Sequence, residues 1–148
     1  MTSFDTNLLL YSLNKDCVEY EPARAFFAAL PTRPAAVAVC ELVLLELYVL
    51  LRNPAVVRKP LASAEAVGLV QTFRRHPTWR LIDYPGDVSA VRDAVWQRAS
   101  DTAVGRRVVF DSRLALTLRH HGVTDFATRN ASDFAGFGFT QVWNPLTP

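Results

Sequence analysis

The stretch TSFDTNLLLYSL, residues 2–13, decides the fold class, because it passes from a strand directly into a helix. Residues 2–5 predict a short buried strand, and residues 8–13 predict a helix. Asp5 or Thr6 is a suitable N-cap for that helix, since a short polar side chain accepts hydrogen bonds from the free N–H groups of the first turn. The chain therefore opens with a strand–helix unit, and a carboxylate stands at the junction.

The same alternation of strands and helices continues to the C-terminus. Further strands are predicted at 35–39, 79–84, 123–127 and 139–143, and further helices at 21–30, 41–52, 62–75, 87–99 and 111–121. Strands that alternate with helices imply a mainly parallel sheet covered on both faces. In such sheets, ligands bind outside the carboxyl ends of the strands. Because the sequence contains no repeat and no linker, residues 1–148 are expected to form a single domain.

Composition excludes several classes of protein. The chain has 148 residues, of which 50% are hydrophobic and 20% are charged, so disorder is not expected. Six glycines and two cysteines exclude collagen-like and disulfide-framework chains. The apolar stretch at 42–51 is too short for a transmembrane helix and contains Glu46. The first residues lack the basic region of a signal peptide. A cytoplasmic protein with reduced thiols at Cys17 and Cys40 is therefore expected.

Charge is distributed unevenly along the chain. Residues 1–51 hold three basic and six acidic residues, a balance of −3, and residues 52–148 have a balance of +5. An acidic region beside a basic one suits a metal-dependent site that acts on a polyanion. Solvated surface charge without a binding function explains the same distribution, so this pattern alone does not choose between the two.

Two carboxylates in the first half of the chain are candidate functional groups. Asp5 ends the first predicted strand, where its side chain would point into the crevice above the sheet or simply cap the next helix. Glu46 lies in a predicted helix that is apolar nearly all round, which indicates burial. A buried ionised carboxylate requires a partner or a cation. An exposed stripe is the alternative for Glu46. Glu41 would point about 140° away from it and would complement the helix dipole.

Two further carboxylates lie in the second half. Asp111 follows an apolar run and is expected to open a helix, either as an N-cap or as a metal ligand. Asp133 follows the predicted strand at 123–127, within a cluster of residues that also favours a turn. If Asp5, Glu46 and these two carboxylates converge, their mutual repulsion would be relieved by Mg²⁺ or Mn²⁺, which prefer oxygen ligands. Such a site can ionise a water molecule and stabilise the leaving oxygen of a phosphodiester.

Other reaction chemistries lack their motifs in this sequence. The three histidines form no zinc pair, and neither a P-loop nor a Gly-x-Gly-x-x-Gly motif is present. The Gly-x-Ser-x-Gly motif of α/β-hydrolases is also absent. A metal-dependent phosphatase remains an alternative that would accept small phosphate esters.

The motifs described above, taken in order, resemble those of PIN-domain ribonucleases, and specifically of bacterial VapC toxins. The matching stretches are FDTNLLLY at 4–11, ELY at 46–48 with RNP at 52–54, FDSRLA at 110–115, TRN at 128–130 with DF at 133–134, and VWNP at 142–145. The resemblance implies a three-layer α/β/α sandwich and Mg²⁺- or Mn²⁺-dependent endoribonuclease activity. It also implies a homodimer, an RNA substrate and inhibition by a small cognate antitoxin, with no membrane partner.

The resemblance also assigns roles to individual residues. Asp5, Glu46 and Asp111 match the first three acidic positions, with Asp5 and Asp111 as direct metal ligands. The fourth position falls either on Asn130, which carries no charge, or on Asp133. Four basic residues are candidates for binding RNA phosphates: Arg106, Arg107, Arg113 and Arg129. A catalytically silent α/β module that binds a peptide or RNA is the second hypothesis, although such a module has no need of repelling carboxylates.

Overall fold

The computed structural model describes residues 1–101 and 105–147. Its strands are β1 (Thr2–Phe4), β2 (Ala38–Cys40), β3 (Arg80–Ile82), β4 (Asp125–Ala127) and β5 (Gln141–Trp143). Its helices are α1 (Thr6–Leu13), α2 (Tyr20–Ala29), α3 (Glu41–Leu51), α4 (Ser63–Arg74), α5 (Ser89–Ala99) and α6 (Val108–His120), with a short 3-10 helix at Ala131–Phe134. The alternation predicted from the sequence is confirmed.

The strands form a parallel sheet centred on β1. β4 pairs with β1, placing Phe4 opposite Ala127, and β5 pairs with the other edge of β4. β2 pairs with β3, and a parallel bridge between Thr2 and Val37 joins this pair to β1. The resulting strand order is β3-β2-β1-β4-β5. The direction of the connections reverses between β1 and β4, so the carboxyl ends of these two strands mark the topological switch point, where α/β sheets bind ligands.

Helices cover both faces of this sheet. Right-handed crossovers leading from β1 to β2 and β3 place α1 to α4 on one face, and the return from β3 to β4 places α5 and α6 on the other. The helix contacts agree, since α1 to α4 pack among themselves and α5 packs against α6. The predicted three-layer α/β/α sandwich is therefore confirmed. Within the described residues, none of the helices has the length and apolar character required to span a membrane.

The core lies along the central strand and the helix that follows it. Phe4 of β1 is fully buried, and its ring meets Phe27 of α2 at 5.0 Å and Trp79 at 5.1 Å between centroids. Leu8 and Leu9 of α1 are also fully buried. This burial anchors the β1–α1 junction on both sides, so Asp5 between them is held on rigid elements rather than on a loop.

The helix boundaries lie within a few residues of the expectation, and the largest difference is at the start of α6. Helix α6 begins at Val108, three residues before Asp111, and its N-cap position is Arg107. The apolar run before Asp111 belongs to the first turn of the helix, where Phe110 remains 63% exposed. The expectation that Asp111 opens the helix as an N-cap is therefore wrong. Its side chain is consequently not required for capping.

Candidate active site

Asp5 is the most deeply buried of the candidate carboxylates, at 7% exposure. Its Oδ1 accepts a hydrogen bond from the Leu8 N–H at 3.1 Å, so the predicted capping role is present. Its Oδ2 accepts a second hydrogen bond from the Thr128 hydroxyl at 2.5 Å. Burial, together with the nearby charge of Glu46, raises the pKa of Asp5 to about 6, even though hydrogen bonds from Thr128 and the backbone oppose the shift.

Thr128 is a site residue that sequence reasoning missed. It follows β4 directly and is fully buried, and its hydroxyl accepts a hydrogen bond from the Asn130 N–H at 3.1 Å while it donates to Asp5. The hydroxyl proton therefore has a fixed direction, and the Asp5 carboxylate has a fixed orientation. The contact between Thr128 and Asp5 depends on strand pairing, because β4 lies beside β1 and brings residue 128 next to residue 5. Local sequence patterns do not contain this information.

We expect Thr128→Val to destabilise the protein by about 1–3 kcal/mol, because it leaves the buried Asp5 oxygen and the Asn130 N–H without their partner. RNA cleavage should fall about 10–100-fold, the usual cost of losing a group that orients a ligand. Thr128→Ser is the matched control, since it keeps the hydroxyl and should keep most of the cleavage rate. Thermal unfolding and initial cleavage rates measure the two effects. Equal rates for the two variants would contradict an orienting role.

Glu46 does not lie in a buried helix as the sequence suggested. Its side chain is exposed, and Leu45 and Val49 beside it are each 60% exposed. Helix α3 is apolar nearly all round, but only one of its faces is covered by the described residues, so its composition overstated its burial. Glu46 nevertheless points toward the site, because its Oε2 accepts a hydrogen bond from the Thr6 hydroxyl at 2.5 Å.

Asp111 and Asp133 approach each other from different elements. Asp111 is half-buried in the first turn of α6, and Asp133 is exposed on the 3-10 helix that follows β4. Both line one groove together with Arg98 and Arg107. Burial raises the pKa of Asp111, and the charges of Asp133 and Glu46 raise it further, while Arg107 opposes the shift.

The charge effects on the pKa of Asp5 and Asp111 involve all four predicted carboxylates. Glu46 acts on the pKa of both Asp5 and Asp111, and Asp133 acts on Asp111. The neutral alternative for the fourth position, Asn130, is exposed and contributes its backbone N–H to Thr128. The structure thus brings the predicted residues into one electrostatically coupled region at the carboxyl ends of β1 and β4.

The donor chemistry fits a hard divalent cation. The four side chains offer carboxylate oxygens alone. Asp5 and Asp111 have a raised pKa, and a cation bound next to them would stabilise their ionised forms. In residues 1–101 and 105–147, no group of three or more His, Cys, Asp or Glu is drawn together tightly enough to form a complete ligand set.

The candidate arginines differ in their surroundings. Arg129 donates to the Tyr11 hydroxyl at 2.9 Å and forms an ion pair with Glu19 at 2.7 Å. It therefore braces the loop after β4 against α1, which makes it a weaker candidate for RNA contact. Arg113 lies over the Tyr84 ring, with its guanidinium carbon 4.5 Å from the ring centroid. Arg106 and Arg107 are exposed, and Arg107 lies next to Asp111.

Comparison with known proteins gives one close relative and several structural neighbours. No protein-family model matches the chain. Ribonuclease VapC24 of Mycobacterium tuberculosis, from two strains, is 53% identical over 147 residues, which cover 99% of this chain and 98% of the relative.

Three solved structures share the fold at low sequence identity. The M. tuberculosis toxin VapC20, described as cleaving the sarcin–ricin loop, has a TM-score of 0.67 at 18% identity and covers 94% of this chain and 96% of its own. FitAcB from Neisseria gonorrhoeae has a TM-score of 0.68 at 19% identity and covers all of both chains. A toxin–antitoxin complex from Klebsiella pneumoniae has a TM-score of 0.59 at 21% identity and covers 98% of each chain.

Proposed function

The chain belongs to the VapC family of toxin ribonucleases, and from that premise we propose that it hydrolyses RNA with a divalent cation held by Asp5 and Asp111. As a member of this family it is an endoribonuclease and the toxic component of a toxin–antitoxin pair. The observation that supports the proposed site is that Asp5 and Asp111 both have a raised pKa, caused first by burial and also by the charge of Glu46. Repulsion between nearby carboxylates costs stability, and a bound cation would remove that cost.

Each of the four carboxylates has a separate proposed role. Asp5 and Asp111 would hold the cation, and Asp5 is oriented by its hydrogen bonds to Leu8 and Thr128. Glu46, oriented by Thr6, would hold a water molecule, and Asp133 would complete the negative cluster beside Asp111. A bound Mg²⁺ or Mn²⁺ supplies Lewis acidity that lowers the pKa of water and neutralises charge on the leaving oxygen.

The protein has an RNA substrate and an antitoxin partner, in keeping with its family. Homodimer formation and a cytoplasmic location remain proposals that rest on the family resemblance.

We expect the purified protein to cleave single-stranded RNA in Mg²⁺, and we expect the small protein encoded beside it to abolish that cleavage when added in equimolar amount. A bidentate arginine from the partner would compete with the cation for the carboxylates. Gel analysis of an end-labelled RNA, with and without the partner, measures both effects. Absence of cleavage, with intact partner binding, would favour the catalytically silent module instead.

A further inference from the structure

A second groove lies beside the carboxylate site, between α5 and α6. It has a volume of 580 Å³. Its lining includes three arginines and three aromatic residues, Arg92, Arg106, Arg113, Tyr84, Trp96 and Phe110, together with small apolar side chains. No aspartate or glutamate lines it. The groove thus combines positive charge with aromatic surface, whereas the neighbouring groove contains the carboxylates Glu46 and Asp111.

The arginines of this groove are free to bind an anion. Arg92 and Arg106 are exposed, and neither makes a hydrogen bond or an ion pair with the part of the chain that the structure describes. Arg113 rests on the Tyr84 ring, which orients its guanidinium without neutralising its charge. Among residues 1–101 and 105–147, no acidic partner pairs with these three positive charges, and arginine binds phosphate in a bidentate manner, so the groove suits a polyanion.

Two large aromatic side chains are exposed in the same groove. Trp96 is 69% exposed and Phe110 is 63% exposed. Proteins that bind single-stranded nucleic acid place such rings within a positively charged groove, where successive bases stack on them. The combination of exposed rings and unpaired arginines is therefore more informative than either feature alone.

The groove is continuous with the active site. Phe110 immediately precedes Asp111 on α6, and it lines both this groove and the neighbouring groove that contains Glu46 and Asp111. A strand of RNA that passes from one groove into the other would cross the carboxylates.

We propose that the groove formed by Arg92, Arg106, Arg113, Trp96 and Phe110 is the RNA-docking groove, which binds an unpaired segment of the substrate next to the cleaved bond. The proposal rests on the proposed ribonuclease function and adds to it the residues that hold the strand beside the cleaved bond. Bases stack on Trp96 and Phe110, and the arginines bind the phosphates between them. A base that is paired in a duplex cannot present its face to these rings, so a duplex should bind weakly.

Binding is tested apart from cleavage in an Asp111→Asn background, with a fluorescently labelled mixed-sequence 12-nucleotide RNA followed by anisotropy. We expect Trp96→Leu to weaken binding about tenfold or more, because leucine is apolar but offers no π-face for stacking. Trp96→Tyr should restore most of the affinity. The same RNA annealed to its complement should bind substantially more weakly than the single strand.

The charge contribution is tested by the salt dependence of binding. Arg92→Gln and Arg106→Gln should each weaken binding and should each reduce the slope of log K against log salt concentration by about 0.7, the value for one phosphate contact to a single strand. Arg75→Gln is the matched control, since Arg75 is exposed after the end of α4. It should leave both the affinity and the slope unchanged.

These experiments distinguish failure of the groove proposal from failure of the proposed ribonuclease function. If Trp96→Leu binds RNA as its Asp111→Asn parent does, and Trp96→Leu alone cleaves RNA as the wild-type protein does, the groove proposal is overturned and the ribonuclease function stands. If the wild-type protein neither binds nor cleaves RNA, the function itself fails. If leucine and tyrosine at position 96 behave alike and Trp96→Ala dissociates a dimer in sedimentation, the groove is covered by a second copy and the proposal is overturned.

Discussion

Asp111→Asn is expected to reduce RNA cleavage at least a hundredfold while leaving the fold intact. An amide keeps the shape of the side chain but binds Mg²⁺ poorly, so the loss of a direct ligand should exceed the usual cost of losing a supporting residue. Stability without metal should hold or rise, because the substitution relieves repulsion with Asp133 and Glu46. Initial cleavage rates and melting temperatures, each with and without Mg²⁺, measure the two effects.

The control for this substitution is Asp16→Asn, which removes the same charge from an exposed position after α1. It should leave cleavage and the response to Mg²⁺ unchanged. Because α6 begins before Asp111, loss of an N-cap cannot explain a defect in the Asp111 variant. An Asp111→Asn protein that cleaves RNA normally and gains as much stability from Mg²⁺ as the wild type would be decisive against the proposed site.

Removal of divalent ions is expected to abolish cleavage, and adding back Mg²⁺ or Mn²⁺ should restore it. The site offers carboxylate oxygens without histidine or cysteine, which suits these ions better than zinc. The wild-type melting temperature should rise with Mg²⁺ concentration by mass action, since the folded state alone holds the carboxylates together. Cleavage in EDTA followed by addition of each ion is the measurement, with thermal unfolding of the same samples.

The response of two variants distinguishes ion binding at the site from a general salt effect. Asp5→Asn should lose the stabilisation by Mg²⁺, whereas Asp16→Asn should keep it. Full cleavage in the presence of chelator would rule out the metal mechanism, and the coupled carboxylates would then require another explanation.

The order of the elements followed from local patterns in the sequence. Helical spacing of apolar residues and the turn signals around residues 53–54 predicted each helix and strand, because these properties depend on neighbours within a few positions. Asp5 was predicted from the same kind of information, since a carboxylate between a strand and a helix stands at the crevice of an α/β sheet. Its bond to Leu8 confirms the capping role, and its role in binding a cation stays a prediction.

The environment of Glu46 and the start of α6 could not be predicted from local sequence patterns. The sequence shows that α3 is apolar nearly all round, but which of its faces the protein covers depends on elements distant in sequence. Leu45 and Val49 therefore remained exposed beside Glu46. The first turn of α6 begins at Val108, within the apolar run that was expected to precede the helix.

The sequence by itself determined the fold class and the family resemblance, because strand and helix periodicity and short motifs are properties of neighbouring residues. It also singled out the four candidate carboxylates, whose roles stay predictions. Only the tertiary structure decided that Thr128 orients Asp5 and that Trp96 and Phe110 share one groove with unpaired arginines. Residues 5 and 128 meet because β1 and β4 pair across the sheet, and the groove forms because α5 packs on α6. Such contacts join segments far apart in the chain, and packing free energy, rather than local pattern, selects them.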